Sequence, residues 1–258
     1  MSTVIAERMA VDIDGNGDAV VYLHGLGGSS NVFTPQVQAL GKSYRSLRPD
    51  LPGAARSPLS GAVSIASLVD QVARLVQALG VQKAHFVGHS MGTIVCQHLA
   101  VQQPQLVRSL ALFGPILSPP DQARTGLKAR AAKAREEGMA EIADQVAAAA
   151  TSNETKANNL TAIALVRELL MRQSGEGYAA HCEALAAAEA ADLGRISCPV
   201  LLVAGDEDVV APVSMARLMS ERLATARLTV LNRCGHWLTI EKAAESNAAL
   251  KEFLTSRI

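Results

Sequence analysis

Apolar positions recur along this chain at two spacings, and the switch between them marks out its elements. Ala19-Val20-Val21-Tyr22-Leu23 is a short apolar run ending in His24-Gly25, which predicts a strand followed by a loop. Residues 31–41 predict a helix with Asn31 as N-cap and Gly41 at its end. Tyr44 to Arg48 reads as a second strand, stopped by Pro49-Asp50-Leu51-Pro52-Gly53. From Ser64 to Leu79 the apolar residues are Ile65, Leu68, Val69, Val72, Leu75, Val76 and Leu79, a helical spacing with Gly80 as its stop. Ala84 to Val87 predicts a strand, Ser90 to Val101 a helix and Val107 to Phe113 another strand. Strands alternating with helices imply a mostly parallel sheet covered on both faces.

The alternation then lapses. Residues 118–192 contain no strand pattern. They are rich in Ala and charged residues, with helical runs near 121–137, 139–150, 155–173 and 177–190. Strands resume after Pro199 with Val200-Leu201-Leu202-Val203-Ala204. A helix follows from Val213 to Leu223, a strand from Arg227 to Leu231 and a closing helix from Glu241 to Leu254. No repeat and no Gly/Ser linker separates the parts. The expected organisation is one α/β core formed by residues 1–117 and 193–258, with residues 118–192 as an all-helical cap inserted into it.

Composition narrows the function classes. Of the 258 residues 49% are hydrophobic and 19% charged, so the chain is globular rather than disordered. Lys plus Arg and Asp plus Glu stand at 24 each, which gives no basic field for nucleic acid and no polybasic membrane footprint. No apolar stretch approaches a membrane span, and the first residues do not read as a signal peptide. Cys96, Cys182, Cys198 and Cys234 are far apart with no C-x-x-C pair, so free thiols in a reducing cytoplasm are expected. Oligomeric state is not specified, and a homo-oligomer stays open.

The candidate chemistry begins at Gly88-His89-Ser90-Met91-Gly92, a G-x-S-x-G run with a strand before it and a helix after it. Such a serine sits on a strained turn above the sheet edge. Small flanking residues let strand and helix approach closely, and the helix N-terminus points N–H groups at developing negative charge. A serine hydroxyl needs a base, and the base an orienting carboxylate. Gly205-Asp206-Glu207-Asp208 follows one late strand, and Cys234-Gly235-His236-Trp237 follows the next. Ser90, the acidic turn and His236 all lie after C-terminal strand ends, so they should converge at one sheet edge. His236 is the candidate base. Asp208 is the candidate acid. Asp206 is the alternative, or else a turn residue bonded to local backbone. Two backbone N–H groups are the candidate oxyanion donors: Met91, and Leu26 in the loop His24-Gly25-Leu26-Gly27-Gly28. That loop lacks the Lys-Ser/Thr of a phosphate loop.

Together His24-Gly25, Pro49 to Gly53, the Ser90 run, Gly205 to Asp208 and Gly235-His236 resemble the α/β-hydrolase superfamily over almost the whole chain. The segment Gly53-Ala54-Ala55-Arg56-Ser57 departs from the usual G-x-G-x-S at its second glycine. The stretch Gly177 to Leu185 is similar to 3-oxoadipate enol-lactonases and related carboxylesterases. Cys234-Gly235-His236-Trp237 instead resembles the carbon–carbon bond hydrolases of aromatic meta-cleavage pathways. The resemblance implies hydrolysis of a small ester or lactone through an acyl-enzyme, with Ser90, His236 and Asp208 as triad. It implies a small-molecule substrate and no metal or organic cofactor. Alternatives are C–C hydrolysis, a perhydrolase-like activity, and a non-enzymatic receptor on the same fold. Trp237 is a candidate substrate contact, or else a core residue. His89 is placed to shape the pocket. Arg167 and Arg172 are candidates to pair a substrate carboxylate.

Overall fold

A computed structural model describes residues 2–256. An eight-stranded sheet forms its centre. Its strands are β1 (Ser2–Ala6), β2 (Met9–Asp14), β3 (Asp18–Leu23), β4 (Tyr44–Pro49), β5 (Ala84–His89), β6 (Val107–Phe113), β7 (Val200–Gly205) and β8 (Ala226–Leu231). They lie in the order β1-β2-β4-β3-β5-β6-β7-β8. The β1–β2 and β2–β4 pairings are antiparallel, and all the others are parallel. Every residue of β5 and β7 is buried, which is why these strands read as unbroken apolar runs.

The helices of the alternating part are α1 (Thr34–Leu40), α2 (Ile65–Ala78) and α3 (Met91–Gln102). Ser64 and Ser67 close a reciprocal capping box at the start of α2. Residues 31–41 differ from expectation. A 3-10 turn at Ser30–Phe33 precedes α1, and Ser29 rather than Asn31 caps it. Between β6 and β7 run α4 (Asp121–Glu137), α5 (Ala140–Ala149), α6 (Asn153–Asn158), α7 (Leu160–Met171) and α8 (Gly175–Ala186). The helix expected over 155–173 is two helices, because Asn159 leaves helical geometry and its side chain accepts from the Ala162 N–H at 3.0 Å. Helix α4 packs on α8, and α5 on α7. Helix α9 (Val213–Arg222) links β7 to β8. The closing helix is α10 (Leu238–Glu241) and α11 (Ala243–Thr255), broken at Lys242.

The β1–β2 hairpin at the sheet edge has no counterpart in the sequence reading. Its turn is Glu7-Arg8, both with positive φ, where hairpins ordinarily carry Asn or Gly. Strand β2 buries Asp12, whose carboxylate is paired two-pronged by Arg56 at 3.0 Å per contact. No described helix is long and apolar enough to cross a membrane.

Candidate active site

Five chain segments meet at the C-terminal edge of the parallel strands. Ser90 follows β5 directly and caps α3 with φ +53° and ψ −122°. A non-glycine residue held there stores strain of about 1–3 kcal/mol, maintained by the structure around it. The Ser90 N–H donates to the Phe113 carbonyl at 3.0 Å, and its carbonyl accepts from the Thr93 N–H and Oγ1 at 2.8 and 2.6 Å. Gly92 has no room for a side chain, since a Cβ there would lie 2.0 Å from the Leu23 carbonyl oxygen. This close crossing of α3 over β3 aims the first turn of the helix at the sheet edge.

His236 follows β8, and Asp208 follows β7. His236 Nδ1 and Asp208 Oδ2 are 2.8 Å apart, with both residues buried. The other oxygen of Asp208 accepts from the Val210 and Ala211 N–H groups, each at 2.8 Å. Burial pushes this carboxyl up, but the neighbouring imidazole and the N–H donors outweigh burial and hold it below the usual carboxylate range. Asp206 is elsewhere: its Oδ1 accepts from the Cys234 N–H at 3.1 Å and so shapes the His236 loop. Of the two acids that the sequence leaves open, the structure brings Asp208 to the imidazole.

The loop carrying His236 is anchored on all sides. The His236 N–H donates to the Ala150 carbonyl at 2.8 Å. The carboxylate of Glu241 accepts from Ser152, Gly235 and Trp237 N–H groups at 2.7, 3.3 and 3.0 Å. Gly114, just past β6 with φ +56°, lies against the acid–base pair. A Cβ there would be 3.2 Å from His236 Nδ1 and 3.4 Å from Asp208 Oδ2.

Ser90 and His236 open onto one cavity of about 460 Å³, which Leu26 and Trp237 also line. Its remaining walls come mostly from apolar residues of α4 and α8 and of the loops after β6 and β7. The Ser90 hydroxyl makes no hydrogen bond among the described residues, so it can turn toward the imidazole or toward a bound molecule. Met91, whose N–H begins α3, is fully buried beside it. A second hollow, of about 500 Å³, lies at the opposite ends of the strands by Lys83, Arg108 and Cys198, away from Ser90.

Three expected pocket residues are corrected. Arg167 does not line the cavity. It lies exposed on α7, paired with Asp144 of α5 at 2.5 Å, because the packing of α7 on α5 turns that face to solvent. Arg172 is exposed as well. His89 lies behind the cavity wall, fully buried, with its ring tilted against His236 and Trp237. Its Nε2 donates to the His236 carbonyl at 2.8 Å, and burial lowers its pKa to about 3, so it stays neutral. Arg130 on α4 is the charged side chain that lines the cavity, and the sequence reading passed it over. It pairs with no carboxylate among the described residues. It neighbours Tyr178, whose hydroxyl is buried. Trp237 Nε1 is also buried, and unpartnered. Among the described residues no cluster of His, Cys, Asp and Glu is arranged to hold a metal ion.

Residues 18–243 match the family model for the alpha/beta hydrolase fold. The chain belongs to this family and is a hydrolase. It is 30% identical to a Caulobacter sp. (strain K31) protein named "Putative carbamate hydrolase RutD", over 92% of this chain and 90% of the relative. It is 27% identical to 3-oxoadipate enol-lactonase 1 of Acinetobacter baylyi, over 92% and 89%. Among solved structures, the enol-lactonase from Burkholderia xenovorans LB400 superposes with a TM-score of 0.91 at 28% identity, covering 99% of this chain and all of that one.

Proposed function

We propose that this chain is a serine hydrolase that cleaves a small ester or lactone bearing a carboxylate. The observation that carries the reading is the buried Asp208–His236 pair opening onto the same cavity as Ser90 on its strained turn. His236 takes the Ser90 proton through Nε2 while Asp208 holds Nδ1 and stabilises the imidazolium. The Ser90 oxygen attacks the carbonyl carbon, and the negative charge moves to the carbonyl oxygen, held by the Leu26 and Met91 N–H groups. Collapse expels the alkoxide, which takes the proton from His236. In a lactone that alkoxide stays tethered to the acyl group. Water then gives one proton to His236 and attacks the acyl-enzyme, and collapse releases the acid while His236 returns that proton to the Ser90 oxygen. No step calls for a metal or an organic cofactor.

The helices α4–α8 act as a cap, of which α4, α5 and α8 wall the cavity. Within that apolar wall Arg130 supplies the positive charge. A substrate with a carboxylate distal to its scissile carbonyl would pair with that guanidinium. The enol-lactonase relatives favour a lactone, and the same attack would open a carbamate, the class named in the Caulobacter relative.

The test is a panel of carboxylate-bearing lactones, neutral p-nitrophenyl esters, a carbamate and a ring-cleavage diketone, with Ser90→Ala as control. Turnover is expected to fall at least about 1000-fold in Ser90→Ala with an unchanged melting temperature. Undiminished activity in that variant would overturn the assignment. Preference for the diketone would move the reaction to C–C cleavage.

A further inference from the structure

The loop that presents the Leu26 N–H is held from two sides. Within the core, the Gly28 N–H donates to the Gly25 carbonyl at 3.0 Å, closing a four-residue turn with Gly27 at φ +73° in its third position. His24 Nδ1 donates to the same carbonyl at 2.9 Å, and its Nε2 accepts from the Leu51 N–H at 2.9 Å. The other side is held from the helical segment, by a residue just past the end of α7. Gln173 is 7% exposed. Its Nε2 donates to the Gly28 and Gly27 carbonyls at 3.1 and 3.3 Å and to Leu169 at 2.8 Å. Its Oε1 accepts from the Ala55 N–H at 3.1 Å. These partners fix the amide orientation, because a carbonyl only accepts and a backbone N–H only donates. Neighbouring Leu170 closes over the turn, and a Cβ on Gly27 would come within 2.4 Å of its Cδ2.

We infer that Gln173 is a positioning residue for the oxyanion: by holding the Gly27 and Gly28 carbonyls it fixes the turn whose Gly28 N–H holds the Gly25 carbonyl, and through that peptide plane the direction of the Leu26 N–H. The inference rests on the serine-hydrolase reading above. It makes the end of α7, which does not line the cavity, part of the charge-stabilising apparatus. An oxyanion donor acts because it is aimed before the charge appears, and removing one lowers turnover by roughly 100- to 1000-fold. A donor left in place but free to swing should lose part of that. The expected loss is about 10- to 100-fold in kcat, with KM within about threefold, since the ground-state carbonyl uses the donor less.

The experiment compares Gln173→Met, of similar length, with Gln173→Glu. The second keeps an acceptor for Ala55 but sets a carboxylate oxygen against two carbonyls. Hydrolysis of p-nitrophenyl acetate is measured per active site, counted by phosphonate labelling of Ser90, together with inhibition by phenylboronic acid. Lower kcat per labelled site and weaker boronate inhibition, in parallel, are the expected result. A purely structural role would lower the melting temperature or the number of labelled sites and leave both per-site readouts unchanged. That outcome, or kcat within about twofold of the parent in both variants, overturns the inference. If Ser90→Ala stays active, the serine reading itself has failed. If Ser90→Ala is inactive and the Gln173 variants are normal, only the present inference has.

Discussion

At the scale of single residues, the site separates into what sits within one short run and what is assembled from afar. Ser90, Met91, Asp208 and His236 each belong to a local strand-to-loop pattern, and chain order suggests how to join them. Gly114 has no such pattern. It is simply the residue after a strand, and its meaning comes from His236, far along the chain, resting against its Cα. Gly114→Ala tests this. Alanine must adopt φ +56° and place a Cβ 3.2 Å from the imidazole nitrogen that meets Asp208. The backbone strain alone should destabilise the fold by about 1–3 kcal/mol. The crowding should tilt the imidazole and lower kcat by about tenfold or more, because small misplacements of a reacting group are costly. Denaturant titration and steady-state kinetics measure the two effects separately, and a stability loss with unchanged kcat would show that the pair tolerates the methyl. Arg130 and Arg167 teach the same lesson. Both look alike as helix arginines, and only the packing of α4 on α8 and α7 on α5 decides which of them faces the cavity.

At the scale of elements, the strands and helices with strong periodicity were legible, and the joints between them were not. Apolar runs such as Val200–Ala204 announce buried parallel strands. The β1–β2 hairpin hides, because its turn is Glu7-Arg8 and its inner face includes Asp12, made tolerable by Arg56 from a distant loop. The joint between the late strands and the helical segment is likewise invisible locally. Glu241, at the end of α10, binds the loop after β8 to the start of α6 through three backbone N–H groups. Glu241→Gln should therefore loosen two elements at once. Whichever way the amide turns, at least one N–H faces an NH2 group instead of an oxygen. A buried donor left unpaired costs about 1–3 kcal/mol. Urea unfolding should show a loss of that order, and kcat should fall as the His236 loop gains freedom. A loss under about 0.5 kcal/mol would mean that the Ala150 carbonyl and the packing of Trp237 suffice to hold the loop.

At the scale of the whole molecule, the buried histidines tie stability to pH. Burial lowers the pKa of His85 and His181 to about 4 and of His89 to about 3, against an ordinary value of 6.5. Each sits neutral in a polar contact: His85 with Ser109, His181 with the Pro52 carbonyl, His89 with the His236 carbonyl. The unfolded chain takes up protons at these rings as pH falls through 6.5, while the folded chain does not until near 4. Between those values the unfolded state binds more protons, so stability rises with pH and falls on acidification. Each ring contributes a slope of up to about 1.4 kcal/mol per pH unit, so three together approach about 4 kcal/mol per unit near pH 5. Asp12, held down to about 2 with Arg56 as its partner, works in a lower window. Its contribution is intact above the ordinary 3.8 and is lost only as pH falls from there toward 2. The steep loss between pH 6.5 and 4 therefore belongs to the histidines rather than to that pair. Urea midpoints measured at half-unit steps from pH 7.5 to 4 should change little above about 7 and drop steadily below about 6.5. Substituting His181 by Gln, whose amide can still donate to the Pro52 carbonyl, should remove up to about 1.4 kcal/mol per pH unit of that slope, while His24, whose pKa burial also lowers, still contributes. A profile level down to pH 4.5 would mean that the rings titrate alike in the folded and unfolded chain, and that burial does not hold them neutral.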